Sequence, residues 1–210
     1  MAMHVIRHQQ QEYPESVAEQ EQLVAAVLSG AVPPSLILTE HPPVYTIGTS
    51  GSETDILMRH VDGDQIAVHP TGRGGEVTYH GPGQLLCYVI ADLRREPDLH
   101  RHVWRLEEMV IRTLADFGVQ AERDARGIGV WVNGLKIAAA GVRCRKWISF
   151  HGIALNHRPN LKHFSGIVPC GMQDQPVTSM QKLGLDVSRE ALESTLIGHC
   201  NTLFDPLGRT

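Results

Sequence analysis

The chain of 210 residues suits one domain, with a core large enough to need no disulfide or metal staple. Hydrophobic residues make up 42% and charged residues 20%, and the formal net charge is -4. That balance argues against a surface built as a whole for nucleic acid or membrane, and no apolar run is long enough to span a bilayer. The first residues are polar and mixed, so no signal peptide is expected.

In chain order, residues 4–7 predict a short first strand and residues 16–29 a helix, closed by Gly30 and by Pro33-Pro34. The apolar run 35–39 is short and lies between prolines, which favours a buried strand, and residues 44–47 form another. Residues 49–64 are rich in Gly, Ser, Asp and Thr and read as a mobile loop, either a lid over a site or an ordinary surface connection. Residues 65–69 predict a strand. Glycines and prolines then crowd residues 71–84, where the backbone must turn sharply or approach a ligand closely. Residues 85–91 predict a buried strand that holds Cys87 as a small hydrophobe.

Residues 100–118 give the clearest helix. Val103, Leu106, Met109, Val110, Thr113, Leu114 and Phe117 share a face, while Glu107, Glu108 and Arg112 fall off it. From Val119 the pattern turns to β. Residues 128–132 lead into Asn133-Gly134, the strongest short hairpin signal, and residues 135–138 return. Residues 147–156 predict a further strand and residues 188–204 an amphipathic helix with Ser188 as N-cap and Cys200 in the core. Strands interrupted by a few helices indicate an α+β domain with a mixed sheet rather than a doubly wound one. One domain over 1–210 is expected, with 173–210 as a small C-terminal extension if the chain divides at all.

Four cysteines (Cys87, Cys144, Cys170 and Cys200) form no CxxC pair, so zinc-ribbon and thioredoxin readings fail and reduced thiols in a cytoplasmic protein are expected. Among the twelve histidines the regular set His151, His157 and His163 lacks metal-ligand spacing, so no metal is expected.

Two pieces carry chemistry. Residues 73–84 contain neither a GxxxxGK[ST] loop nor a GxGxxG after a strand, so a nucleotide site is weakly supported. A pocket wall whose backbone N–H groups face a ligand needs the same glycines, with Tyr79 and His80 as polar handles. The other piece is Val168-Pro169-Cys170-Gly171. A cysteine between a φ-fixing proline and a permissive glycine suits an exposed, positioned thiol. A nearby cation would raise its thiolate fraction, and Lys136 is the candidate. From spacing alone the commoner reading of Lys136 is an exposed lysine on the solvated face of a hairpin. Cys144, flanked by Arg143, Arg145 and Lys146, is a rival thiol or a surface residue in a basic turn.

Residues 40–48 (EHPPVYTIG), the RGG at 73–75 through Gln84, LKIA at 135–138 through Gly141, FHGIALN at 150–156 and residues 167–171 resemble, in order, the lipoyl(octanoyl) transferases. The resemblance is clearest from Leu36 to Met172. It implies the fold shared with biotin and lipoate protein ligases. It also implies transfer of an octanoyl group from octanoyl-acyl carrier protein to a lysine of lipoyl domains in 2-oxoacid dehydrogenase complexes or of glycine-cleavage H protein. The family's acyl-thioester cysteine falls on Cys170, and the lysine that lowers its pKa on Lys136. Its acyl-contacting segments fall on Arg73, Gly74, Gly75, Glu76, Val77, Thr78, Tyr79 and His80, on Ala139, Ala140 and Gly141, and on Gly152, Ile153 and Ala154. No cofactor is implied, nothing suggests an obligate multimer, and a monomer is expected.

The physical chemistry fits that assignment. Acyl exchange between two thioesters is nearly isoenergetic, and transfer to an amine is downhill, so a ping-pong route through Cys170 needs no ATP. Small residues at 139–141, 152 and 154 leave space for a straight acyl chain. Arg143, Arg145 and Lys146, with Arg158 and Lys162, are a candidate docking patch for an acidic carrier. The competing readings are an ATP-dependent lipoate or biotin-type ligase and a non-catalytic acyl-carrier or lipoyl-domain adaptor.

Overall fold

The computed structural model describes residues 3–168 and 176–204. In chain order the elements are β1 (His4–Arg7), α1 (Tyr13–Ser29), β2 (Ser35–Thr39), β3 (Val44–Ile47), β4 (His60–Val61), β5 (Asp64–Gln65), β6 (Ala67–Pro70), β7 (Val77–His80), β8 (Gln84–Asp92), α2 (Leu99–Asp116), β9 (Glu122–Asp124), β10 (Gly127–Val132), β11 (Leu135–Arg145), β12 (Ile148–Asn156) and α3 (Arg189–Leu203). A seven-stranded mixed sheet runs β1-β2-β8-β12-β11-β10-β9, parallel at β1–β2 and antiparallel elsewhere. A three-stranded sheet, β6-β3-β7, lies apart from it, and β4 pairs with β5. The fold is α+β with mixed sheets, as the strand and helix order implied.

The large sheet is covered on both faces, which is why β8 reads as an almost continuous apolar run and every residue of β12 is buried. On one face Leu86, Tyr88, Ile90 and Ala154 pack with Val24 and Val27 of α1. On the other, Leu85, Cys87, Val89, Ile153 and Leu155 share a core with Leu106, Met109, Val110 and Leu114 of α2 and with Leu192, Leu196 and Cys200 of α3. The strands approach closely where β8 meets β12. A Cβ on Gly152 would stand 2.0 Å from the Cys87 carbonyl oxygen, which is backbone and unable to yield. Gly152→Ala is therefore expected to lower unfolding free energy by about 1–3 kcal/mol or more, read by urea titration. An unchanged midpoint would show that the two strands can part.

Several boundaries differ from the sequence expectation. Helix α1 begins at Tyr13, with Pro14 in its first turn and no side-chain cap, so neither an apolar repeat nor an N-cap residue marks its start. Strand β9 has only Glu-Arg-Asp and no apolar alternation to reveal it. The expected strand 65–69 divides between β5 and β6. Glu107 is buried rather than off the packed face: its Oε2 accepts from Arg123 Nε (2.9 Å) and its Oε1 from the Gly129 N–H (2.8 Å). The Asn133-Gly134 turn has φ of 51° and 75°, as a type I′ hairpin requires. The β11–β12 turn repeats that geometry with Lys146 and Trp147, at φ of 51° and 62°.

Residues 49–64 are laced to the chain that precedes Cys170. The Leu57 and Met58 N–H groups both donate to Gly166 O (2.8 and 3.1 Å), and the Val168 N–H donates to Asp55 O (2.8 Å). A 3₁₀ turn, Glu53–Asp55, carries a capping box from Ser52.

Candidate active site

Lys136 reaches its place through a β-bulge. Val130 pairs with Ala138 but Trp131 pairs with Lys136, so Ile137 is the extra residue on β11. Ile137 and Ala138 both enter the core beneath α2 and α3. The bulge resets the period-two alternation, so Lys136 joins Ala139 and Gly141 on the opposite face. Lys136 is 6% exposed, and its Nζ lies 5.2 Å from the centroid of the Trp131 ring. The exposed-lysine reading of the hairpin therefore fails. Its backbone is held from the other side: the Lys136 N–H donates to Pro176 O (3.0 Å), and Lys136 O accepts from the Thr178 N–H (2.9 Å).

A cavity of about 90 Å³ opens beside it, several times what one water molecule occupies. Ala139 pairs with Ala154 and Gly141 with Gly152, so no side chain larger than methyl rises from β11 or β12 at these positions. Leu86 and Tyr88 of β8 continue the floor, opposite Ala154 and Gly152. The roof comes from Arg73, Gly75, Glu76, Val77, Thr78 and His80, and Ala140 and Ile153 also touch the cavity. From Lys136 to Gly141 this makes an apolar trough roughly 17 Å long, at about 3.3 Å per residue.

Arg73 holds the roof in shape. Its guanidinium donates to Thr46 O (2.7 Å), Glu76 O (2.8 Å), Thr46 Oγ1 (2.8 Å) and Gly74 O (3.1 Å). A Cβ on Gly48 would stand 2.1 Å from Gly75 O, so the EHPPVYTIG run must end in glycine for the roof to close.

A buried polar chain links roof and floor. His80 Nδ1 lies 2.7 Å from Gln84 Oε1, which assigns the proton to that nitrogen. Gln84 Nε2 donates to Asn156 Oδ1 (3.0 Å), and Asn156 Nδ2 donates to Thr178 O (2.9 Å), beside the Lys136 backbone. Burial, with Arg73 contributing, depresses the His80 pKa to about 3 and that of His151 to about 4. Burial lowers His41 to about 4, and Tyr88 donates its hydroxyl to His41 Nε2 (2.7 Å). At neutral pH these imidazoles are uncharged, and Lys136 and Arg73 are the other basic side chains among the described residues that line the cavity.

Two of the roof residues lie elsewhere. Gly74 does not line the cavity; its N–H donates to Val142 O (2.8 Å) and fastens the roof to β11. Tyr79 points the other way along β7, into the small sheet's core, with its hydroxyl 2.7 Å from His163 Nδ1. A strand inside the glycine-rich piece alternates its side chains, and that alternation separates Tyr79 from Thr78 and His80. Cys170 lies outside the described residues. Cys144 is half-buried, with its thiol pKa raised by burial, and lies eight residues along β11 from Lys136, roughly 26 Å at about 3.3 Å per residue.

The cavity also uses Tyr13, Leu86, Tyr88, His151, Asn156 and Phe164, none of them assigned to it from sequence. Period-two alternation could have placed Leu86 and Tyr88 with Gln84, and Asn156 with Ala154. Nothing in the sequence marks Tyr13 or Phe164. His151 adopts φ of 61° and gives its N–H to Gln20 Oε1 (2.9 Å), a local irregularity without a sequence signal. The five cations considered as one docking patch divide. Arg143, Arg145 and Lys146 gather at the β11–β12 turn, whereas Arg158 and Lys162 follow the opposite end of β12, with Lys162 paired to Asp62 (2.9 Å).

The family model for the lipoyl protein ligase A/B catalytic domain matches residues 12–201. An octanoyltransferase of Cereibacter sphaeroides is 46% identical over 199 residues, covering 88% of this chain and 89% of that protein. Among solved structures, lipoate-protein ligase A bound with ATP superposes with a TM-score of 0.77 at 19% identity, over 98% of this chain and 86% of the other. The biotin protein ligase of Aquifex aeolicus superposes with a TM-score of 0.57 at 12% identity, over 98% and 70%. With that fold, and with a family match that spans the trough and its roof, the chain belongs to the octanoyltransferases of the lipoyl protein ligase A/B family and is an acyltransferase acting in protein lipoylation.

Proposed function

We propose that this acyltransferase takes octanoyl groups from octanoyl-acyl carrier protein and passes them, through a thioester on Cys170, to a lysine of a lipoyl domain. The acceptor domains are those of 2-oxoacid dehydrogenase complexes and of glycine-cleavage H protein. The observation that carries this reading is a buried lysine at the end of a trough floored by alanine and glycine. The trough suits a straight, unbranched chain, and the amine stands where the acyl carbonyl would react.

The steps balance. The Cys170 thiolate attacks the carbonyl carbon, the bond to the carrier sulfur breaks, and the departing sulfur takes a proton from the Lys136 ammonium. The acceptor amine then attacks the acyl-enzyme, its proton goes to the now neutral Lys136, and Cys170 leaves as thiolate. Acyl thioester energy drives both halves, so no nucleotide enters. Pro176, six residues past Cys170, bonds the Lys136 backbone, which supports placing thiol and amine in one site. The small residues 139–141, 152 and 154 hold the chain, and roof residues 73–78 with His80 close over it.

We further read the protein as a cytoplasmic monomer of one domain. Cys87, Cys144 and Cys200 stand as free thiols, which suits a reducing compartment. Helix α3 shares its apolar core with α2 and the sheet, which favours one folding unit. Brief incubation with octanoyl-acyl carrier protein is expected to leave one octanoyl adduct, seen by intact mass and mapped to Cys170. Activity with free octanoate only when ATP and magnesium are added, and no adduct from the carrier, would instead make it a ligase.

A further inference from the structure

Strand β10 opens Gly127-Ile128-Gly129, and both glycines border the side chain of Lys136. A Cβ on Gly129 would stand 2.7 Å from Lys136 Cε and 2.4 Å from Ala138 O. A Cβ on Gly127 would stand 3.8 Å from Lys136 Nζ, its nearest neighbour among the described residues. Gly127 and Gly129 have φ of 156° and 139°, backbone states that an L side chain rarely adopts. The lysine stem thus crosses β10 in a groove left by two absent side chains. Trp131 forms its next wall, and the guanidinium of Arg126 lies 4.4 Å from the same ring, fixed by Asp124 (2.6 and 2.9 Å).

The groove is anchored from the far side of the sheet. The β9–β10 register shifts between Gly127 and Trp131, and within that stretch the Gly129 N–H goes to Glu107 Oε1 on α2 (2.8 Å). Glu107 is itself held by Arg123. A strand interior that wanted only stability would carry β-branched residues here, because glycine there weakens a sheet.

We propose that Gly129, with Gly127, is a positioning residue: the groove sets the line and reach of the Lys136 amine toward the reacting sulfur, and Glu107 fixes the groove. This rests on the proposed role of Lys136 in activating Cys170. A flexible four-carbon stem has many rotamers, and the groove leaves space for the one that runs across β10.

The test follows the rate of Cys170 alkylation by iodoacetamide against pH, with peptide mapping to exclude the other thiols and a thermal melt to confirm folding. Gly129→Ala is expected to slow labelling at neutral pH by roughly tenfold and to move its midpoint up toward the ordinary thiol value of about 8.5. Gly127→Ala, whose methyl would stand nearest the Lys136 amine among the described residues, is expected to move both in the same direction, less far. In a Lys136→Ala background, Gly129→Ala is expected to add nothing, because it acts through the lysine. If folded Gly129→Ala keeps the wild-type profile while Lys136→Ala loses it, the groove is not a positioning device. An additive loss in the double variant overturns it likewise. Should Gly129→Ala fail to fold, wild-type labelling of Gly127→Ala decides against the proposal. An unchanged profile in Lys136→Ala would overturn the lysine's role itself.

Discussion

Cys170→Ala is expected to abolish octanoyl transfer, and Lys136→Met to lower turnover by about 10²–10⁴-fold, the range for a lost acid–base group. The methionine is nearly isosteric with the lysine stem, so the groove beside Gly129 stays filled and Trp131 keeps its neighbour. What disappears is the charge and the exchangeable proton. On the proposed thioester route both halves would lose something: the thiolate its cation and the leaving sulfur its acid, then the attacking amine its base. The pH profile of Cys170 alkylation should therefore move toward about 8.5, the ordinary thiol value, together with the fall in turnover. Coincidence of the two effects separates a chemical role from a packing role, since a packing defect would lower the melting temperature and leave the thiol's titration in place. Turnover by Cys170→Ala at the wild-type rate would end the thioester route. Turnover by Lys136→Met at that rate would leave Cys170 without a partner.

The sequence carried the architecture well wherever both faces of an element are buried or a turn has one solution. Strands β2 and β8 were legible because sheets covered on two sides favour unbroken apolar runs, and Asn133-Gly134 admits hardly anything but a hairpin. Position in the site was legible only in part. Lys136 looked like a solvated hairpin lysine because a β-bulge leaves no trace in a period-two pattern; only the register shift at Ile137 turns it inward. Tyr79 and His80 are neighbours in a glycine-rich piece, and nothing local told that a strand would send them to opposite sides. Glu107 looked solvated on a helical wheel, yet it is buried because a backbone N–H on β10 and Arg123 both need its oxygens. Tyr13 and Phe164 reach the cavity from segments far apart in the chain, and such convergence is a property of the fold rather than of any window.

Stability should fall steeply as pH drops from about 6.5 to about 4, before most carboxylates are protonated. His41, His102 and His151 have pKa values lowered to about 4 and His80 to about 3, in each case chiefly by burial, against an unfolded value of about 6.5. Across that window the unfolded chain binds protons the native state refuses, so acid favours unfolding. Above about 6.5 both states are neutral at these sites and the penalty vanishes. Each group contributes on the order of 2–3 kcal/mol of lost stability by pH 4, and a domain's entire margin is about 5–15 kcal/mol. His102 makes the cleanest probe. It does not line the trough but stands edge-on to Phe204 (centroids 5.5 Å apart), and neither ring nitrogen has a hydrogen-bond partner among the described residues. His102→Leu removes one proton acceptor of the unfolded state without opening a polar network. Urea unfolding of wild type is expected to weaken with each step from neutral pH to about 5, and the variant to weaken less, so that the two curves diverge on acidification. Parallel curves would mean that His102 is protonated in the native state. A wild-type midpoint that stays flat to about pH 5 would mean that the buried imidazoles admit protons without loss, and the trough would then keep its polar supports in acid.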